Sequence, residues 1–372
     1  MEYKGKVKNY SLNSSRKFKS LISVLRDIDR KPIARMVYEI VHLLIKTKKI
    51  PMHYFASLLY KNNVKNYLEY LDLKEMRRIQ EILCDVGVTE ILNNKLFFQE
   101  YYSMHDFPLP HFIGYNLRES GFVKKNGTWD RYNLNDFNSM NRLLEIVLSA
   151  SKSGALFIKP INDSCGNYIK RINSSSFRFI RQEISEIQRF LLMGSYIMQE
   201  EVIQHKELNR VNCSSVNTIR IDTFKERGET PEILSAYLRM GSSGSHIDNI
   251  SAGGVFVGID ILTNTLKPHG FNRIASGGNT LYMHPDSKIV FRGFRLPFLD
   301  KAKQLAIAAA SMLPRAMVGW DIAVSDKGPV LIEGNALYYG MKSSDVAYGG
   351  YRKNKIYQKA KAAAMFLEKN FK

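Results

Sequence analysis

The sequence predicts an α+β protein built on antiparallel sheets, and three observations carry that expectation. The 372 residues are 45% hydrophobic and 24% charged, the balance of a globular chain long enough for two or three domains. Residues 1–88 place apolar side chains at helical spacing. From about residue 89, short β-rich runs take over, separated by helical stretches and glycine-rich turns rather than by regular βα alternation. The same composition excludes disordered, collagenous and disulfide-scaffold classes.

Residues 1–31 are polar and basic. Pro32 opens a helix, a position that suits its fixed φ. Ile33, Val37, Ile40, Val41 and Leu44 then recur at helical spacing, Lys46, Lys48 and Lys49 close the segment, and Pro51 stops it. A cationic amphipathic helix of this kind either lies on a membrane surface or packs on its own domain. A second helix fits 74–86, with Ile79, Ile82, Leu83 and Val86 on one face. Strands are expected at 156–158, 196–198, 218–221, 233–238, 254–259 and 330–332, helices at 177–192 and 298–312, and a basic helix at 351–372. The expected divisions are 1–88, 89–200, 201–350 and 351–372.

Net charge is +19, and its distribution is uneven. Residues 1–50 hold 13 basic and 4 acidic residues, and residues 351–372 hold 7 and 1, so the ends carry +9 and +6 and the remaining 300 residues only +4. Basic ends attract anionic lipid headgroups, phosphorylated substrates or nucleic acid, or simply keep a protein soluble. No zinc-finger spacing or RNP-type strand is present, so nucleic acid is not expected as a partner. No uncharged apolar run approaches the roughly 20 residues of a membrane span. Cys84, Cys165 and Cys213 stand far apart in an odd count, which fits a reducing cytoplasm. The expected location is cytoplasmic, with peripheral contact at the inner face of the membrane through the basic ends.

GxSxG, HExxH and GxxxxGK[ST] are absent, and the eight histidines are scattered. Oxygen donors are therefore the candidate metal ligands, and oxygens suit Mg²⁺. Gly319–Ala323 and Pro329–Asn335 read as two strands of a hairpin turning at Asp326-Lys327-Gly328. Asp321 lies on the first strand. Glu333 and Asn335 lie two apart on the second and so share a face. Lys159 ends the apolar run Phe157-Ile158 and precedes a small polar loop containing Ser164 and Gly166, whose N–H groups could cradle phosphates. Tyr196–Met198 runs into Gln199-Glu200-Glu201-Val202, a segment able to read adenine through backbone atoms. Arg220 follows Asn217-Thr218-Ile219, Arg239 sits on a later strand, and Asp248-Asn249 precedes Gly253-Gly254; two strand-borne arginines could clamp an anion.

These four elements, in this order, resemble the ATP-grasp superfamily from about Asn94 to Gly340. Within it the chain looks most like the sugar-transfer-associated ATP-grasp proteins, and it is also similar to the ribosomal-protein glutamate ligases. The resemblance implies an ATP-grasp fold, two α+β lobes with antiparallel sheets gripping ATP, here preceded by a basic, mostly helical region. It implies that Lys95 and Lys159 touch ATP phosphates, that Ser164 and Gly166 belong to the phosphate loop, and that Glu200, Glu201 and Val202 frame adenine, with Glu207 at the ribose. It implies that Asp321, Glu333 and Asn335 hold Mg²⁺ and that Arg220, Asn249 and, more loosely, Arg239 act near the transferred phosphate and the acyl substrate. The activity implied is ATP-dependent ligation of a carboxylate to an amine through an acyl-phosphate. The family setting points to a sugar carboxylate, such as a hexuronic acid, and an amino acid or other amine, in surface polysaccharide (capsule or O-antigen) synthesis. Phosphoryl transfer to a hydroxyl, a nucleotide-binding module without catalysis, and a basic polyanion or membrane adaptor remain as alternatives. The loop has one glycine where relatives often have several, and the usual N-terminal α/β domain is replaced by helical, basic sequence.

Overall fold

The computed structural model describes residues 22–370, apart from 126, 163–167, 243–252, 338 and 340. It has two antiparallel sheets, each backed by its own helices. The first lobe is a six-stranded sheet in the order β3-β2-β1-β6-β4-β5. Its strands are β1 (Phe112–Leu117), β2 (Ser120–Lys125), β3 (Thr128–Asn133), β4 (Ala155–Pro160), β5 (Lys170–Asn173) and β6 (Ser195–Glu200). Helices Phe137–Ser149 and Arg181–Leu192 cover one face, where Met140, Leu143, Val147, Ile184 and Leu191 bury against Leu156, Ile158 and Met198. Strand alternation leaves Phe157 and Lys159 on the opposite face.

The second lobe is a seven-stranded sheet in the order β11-β10-β9-β8-β7-β12-β13. Its strands are β7 (Thr218–Lys225), β8 (Glu232–Met240), β9 (Val255–Asp260), β10 (Thr265–Phe271), β11 (Thr280–Leu281), β12 (Ala316–Ser325) and β13 (Gly328–Asn335). One face packs on helix Leu299–Ser311 and on helices Val86–Asn93 and Lys95–Ser103, around the fully buried Trp320. The Trp320 indole N–H donates to Thr223 Oγ1 at 2.8 Å. The opposite face takes helices Leu73–Leu83, Met341–Tyr348 and Lys355–Asn370, and residues 54–70 pack on its β8 and β9.

The strands and helices expected from sequence all form, with shifted ends. Three helices between 73 and 103 follow one another with almost no gap because Asp72, Asp85 and Asn94 each cap the next: Asn94 Oδ1, for example, accepts from the N–H groups of Leu96 and Phe97 at 3.0 Å. The helical texture therefore runs to Ser103, past residue 89. In the run 330–332, Val330 and Ile332 are half-buried and only Leu331 enters the core.

The basic C-terminal helix is held by charge as well as packing. Lys361, Arg352 and the Tyr357 hydroxyl converge on Glu75, while Lys359 reaches Glu229 and Glu232. No described helix is long and apolar enough to cross a membrane.

Candidate active site at the β12–β13 hairpin

Strand period alone would put Glu333 on the same face as Leu331, which is core. A β-bulge prevents this. Ile322 pairs with Leu331, but the next residue of β12, Asp321, pairs with Glu333, so Ile332 is the extra residue. Beyond the bulge, Trp320 faces Gly334 on the core side and Gly319 faces Asn335 on the other. The bulge thus delivers both Glu333 and Asn335 to the face of Asp321. Gly334 has to be small, since a Cβ there would lie 2.8 Å from the Trp320 ring. Asn335 Nδ2 reaches Glu333 Oε1 at 3.3 Å.

Across the sheet, Asp321 pairs with Arg220 of β7, and Arg220 with Tyr237 of β8. Arg220 binds the Asp321 carboxylate with both prongs, Nε to Oδ1 at 2.5 Å and Nη2 to Oδ2 at 2.9 Å; Arg239 Nη1 adds a third bond to Oδ2 at 2.8 Å. Asp321 is 2% exposed and Arg220 6%. Burial alone pushes the Asp321 carboxyl up, but the Arg220 and Arg239 charges outweigh it and hold the pKa below the usual carboxylate range. Arg220 is likewise held above its ordinary value, Asp321 overcoming the cost of burial. On the same face, burial raises the pKa of the fully buried Asp222, against the Arg220 charge and hydrogen bonds from Ser344 and Ser235. Gly319 makes this packing possible, because a Cβ there would sit 2.7 Å from Arg220 Nη1 and 3.0 Å from Asp222 Oδ1.

The structure brings Asp321, Glu333, Asn335, Arg220 and Arg239 together, five candidates from four strands. The two carboxylates and the carboxamide oxygen of Asn335 offer the donor type that fits a hard divalent cation. Among the described residues no cluster of three or more His, Cys, Asp or Glu exists. Two carboxylates and a carboxamide leave coordination positions open for phosphate oxygens and water, the usual habit of Mg²⁺.

The two lysines also meet one region. The Lys95 N–H, in the first turn of its helix, donates to Ile161 O at 2.9 Å, two residues beyond Lys159. Lys159 Nζ donates to Gln199 Oε1 at 3.1 Å, and Gln199 Nε2 donates to Gln99 Oε1 at 2.8 Å. Gln99, absent from the sequence reading, and Gln199, read there only as part of the adenine segment, therefore hold Lys159 against helix Lys95–Ser103. The signal was present only in strand register, which pairs Gln199 with Phe157. The segment leading into β1 is tied to the second lobe, where the Leu331 N–H donates to Pro108 O at 2.7 Å.

Glu200, Glu201 and Val202 leave the end of β6 at the edge of β4, with the Glu201 N–H bonded to Ala155 O. The Glu201 side chain is held by both prongs of Arg171, and the Glu200 carboxylate accepts from the Ser153 N–H. Glu207 stands apart, pairing with Arg210 on an exposed helical turn. Ser164, Gly166 and Asn249 lie outside the described residues.

The sequence matches the family described as sugar-transfer associated ATP-grasp over residues 83–358, well over half of its length. No curated protein matches. Among solved structures, the chain is similar to an N5-carboxyaminoimidazole ribonucleotide synthetase in complex with ADP (8% identity, TM-score 0.39, 68% of this chain and 46% of that one). It is similar to an L-amino acid ligase from Bacillus licheniformis (14%, 0.38, 69% and 43%) and to a D-alanyl-alanine synthetase A from Vibrio cholerae (11%, 0.39, 74% and 66%). The chain spans less than half the length of the first two. On the extent of the family match, the protein belongs to the sugar-transfer associated ATP-grasp family and has the ATP-grasp fold.

Proposed function

We propose that the protein is an ATP-dependent, ADP-forming carboxylate–amine ligase that joins an amino acid or other amine to a sugar carboxylate, of the hexuronic acid class, in surface polysaccharide synthesis at the cytoplasmic side of the membrane. The observation that supports it best is the bulge-dependent convergence of Asp321, Glu333 and Asn335 beside the paired guanidiniums of Arg220 and Arg239. The family to which the chain belongs supports the sugar as the acyl partner.

In this reading a substrate carboxylate oxygen attacks the γ-phosphorus of ATP. The bond to the bridging oxygen breaks, ADP leaves, and an acyl-phosphate forms. The amine then attacks the acyl carbon, expels phosphate and gives the amide after losing a proton. Lys159 from the first lobe and Lys95 from helix Lys95–Ser103 bind the phosphates, and Glu200–Val202 border the adenine. Arg220 and Arg239 orient the transferred phosphoryl group and the carboxylate. Asp321, Glu333 and Asn335 would hold Mg²⁺, which would neutralise phosphate charge. The protein contributes position and fixed charge rather than covalent chemistry.

The test is an ADP-release screen of uronic acids and nucleotide-linked uronates against amino acids, with mass spectrometry and ³¹P NMR of the products. The expected result is an amide with stoichiometric free phosphate. A stable phosphoester would replace this reading with a kinase, and no ADP from any pair in the presence of Mg²⁺ would count against it.

A further inference from the structure

Helix α1 (Ile33–Thr47) is held by three inward residues, Met36, Glu39 and Leu43. Glu39 is fully buried and accepts from Lys31 Nζ (2.7 Å), Arg35 Nε (2.8 Å) and the Tyr54 hydroxyl (2.8 Å), which fixes the roll of the helix. The outward side is not polar. Ile33, Val37, Tyr38, Val41, Leu44 and Ile45 are 54, 54, 60, 45, 42 and 70% exposed. At 3.6 residues per turn they fall within one arc of about 140°, and no charged helix residue interrupts it. Ile50 and Met52, 74% and 62% exposed, extend the patch beyond the helix. Such a surface is on the order of 600 Å², at the top of what monomeric proteins leave uncovered, and patches of that size mark interaction sites.

The charges around the patch identify what covers it. Arg35 and Lys46 lie about 60–80° beyond the arc on its Tyr38 side, and Lys48 and Lys49 continue from the C-terminal end, all exposed. Among the described residues, Lys46, Lys48 and Lys49 make no ion pair, in contrast to the cations of the C-terminal helix. The only acid of the helix is Glu39, which faces inward. A second copy of this face would set cation against cation with no acid to receive either. An apolar stripe rimmed by cations alone matches a surface that is apolar beneath and anionic above.

We infer that helix α1 is a membrane-docking element that lies flat on an anionic leaflet, with Val37, Val41, Leu44 and Ile45 in the acyl boundary and Lys46, Lys48 and Lys49 among headgroup phosphates. This concerns a different part of the molecule from the nucleotide site and stands without the ligase reading.

The test is co-sedimentation of the full-length protein with mixed phosphatidylcholine–phosphatidylglycerol vesicles and with pure phosphatidylcholine. Binding is expected to the mixed vesicles and to weaken as salt is raised. Val41→Asp with Leu44→Asp should lower partitioning by on the order of ten-fold or more. Lys46→Gln, Lys48→Gln and Lys49→Gln together should lower it on the order of a hundred-fold at low salt. Both variants should melt like the parent, because these side chains are exposed. Three results would overturn the inference: no binding to the mixed vesicles at low salt, undiminished binding of the aspartate variant, or a dimer in light scattering that the aspartate variant dissociates.

Discussion

Replacing Asp321 with Asn tests whether the charge cluster is the keystone of the second lobe. The substitution keeps the side chain's shape and one acceptor oxygen, but removes the charge that compensates two guanidiniums. The Asp321, Arg220 and Arg239 side chains are 3, 7 and 15% exposed, so water cannot make up the loss. Breaking a buried pair by removing one partner costs about 3–5 kcal/mol, and the retained amide oxygen places this change near the lower figure. In urea that is a midpoint shift of about 1 M at an m-value of about 3 kcal/mol/M. Adding Arg220→Met to Asp321→Asn should recover part of the loss, because the orphaned cation is gone; a coupling of about 1–3 kcal/mol is expected in the double-mutant cycle. In the same samples, Mg²⁺-dependent ADP release should fall on the order of 100- to 1000-fold. A stability loss below about 1 kcal/mol at unchanged m-value would refute the buried-pair argument. Near-parental ADP release with the parental Mg²⁺ dependence would refute the metal assignment, whatever the stability.

Gly319→Ala drives a methyl group to within 2.7 Å of Arg220 Nη1 and should displace that guanidinium, costing about 1–3 kcal/mol in urea denaturation together with ADP release; no change in either would show that the cluster can give way. Lys159→Met should lower ADP release on the order of 100- to 1000-fold with little change in melting temperature, since Lys159 is only half-buried; equal loss of both would make it a structural residue. Asp345 accepts from the Leu71 and Tyr351 N–H groups, and burial, opposed by those bonds, pushes its carboxyl up to about 7. A raised folded-state pKa means that its contribution is fully present below the unfolded carboxylate range and is lost as pH rises through about 7. The fall in stability between pH 5 and pH 8 should therefore be smaller in Asp345→Asn than in the parent, by up to about 3 kcal/mol; parallel pH profiles would refute it.

The elements that read clearly from sequence were those whose signal is local. Apolar periodicity in helix α1 and the β-rich runs of β7 and β9 depend on near neighbours in the chain; the caps at Asp72, Asp85 and Asn94 are equally local but were not read, so the helices after residue 86 were not foreseen. That Glu333 and Asn335 share a face was also legible, yet what brings that face to Asp321 was not. Period-two logic from the buried Leu331 places Glu333 and Asn335 in the core, and only the bulge at Ile332 reverses that. No residue type at 332 announces a bulge, since it is selected by pairing with β12. Gln99, and the tie of Gln199 to Lys159, were missed for a similar reason: a glutamine on an otherwise apolar strand gains this role only when register and a helix from 100 residues earlier bring Lys159 and Gln99 to it.

Charge counting was legible too, but it treated the two basic ends as equivalent, and the structure separates them. At the C-terminus the cations face acids of the body. Glu75 alone receives Lys361, Arg352 and the Tyr357 hydroxyl, and Lys353 pairs with Glu69. Exposed pairs of this kind contribute little individually, but they align the helix so that Tyr357, Ala360 and Ala364 bury beside Leu83 and Met76. That positive charge is largely spent inside the molecule. At helix α1 the single acid is turned inward and shared by Lys31 and Arg35, so the lysines at its end keep their charge for the outside, next to the largest apolar surface on the helix. Two basic ends thus dispose of their charge differently: Glu75 gathers it at the C-terminus, whereas Glu39 takes only Lys31 and Arg35 and leaves the lysines after helix α1 without an ion pair among the described residues.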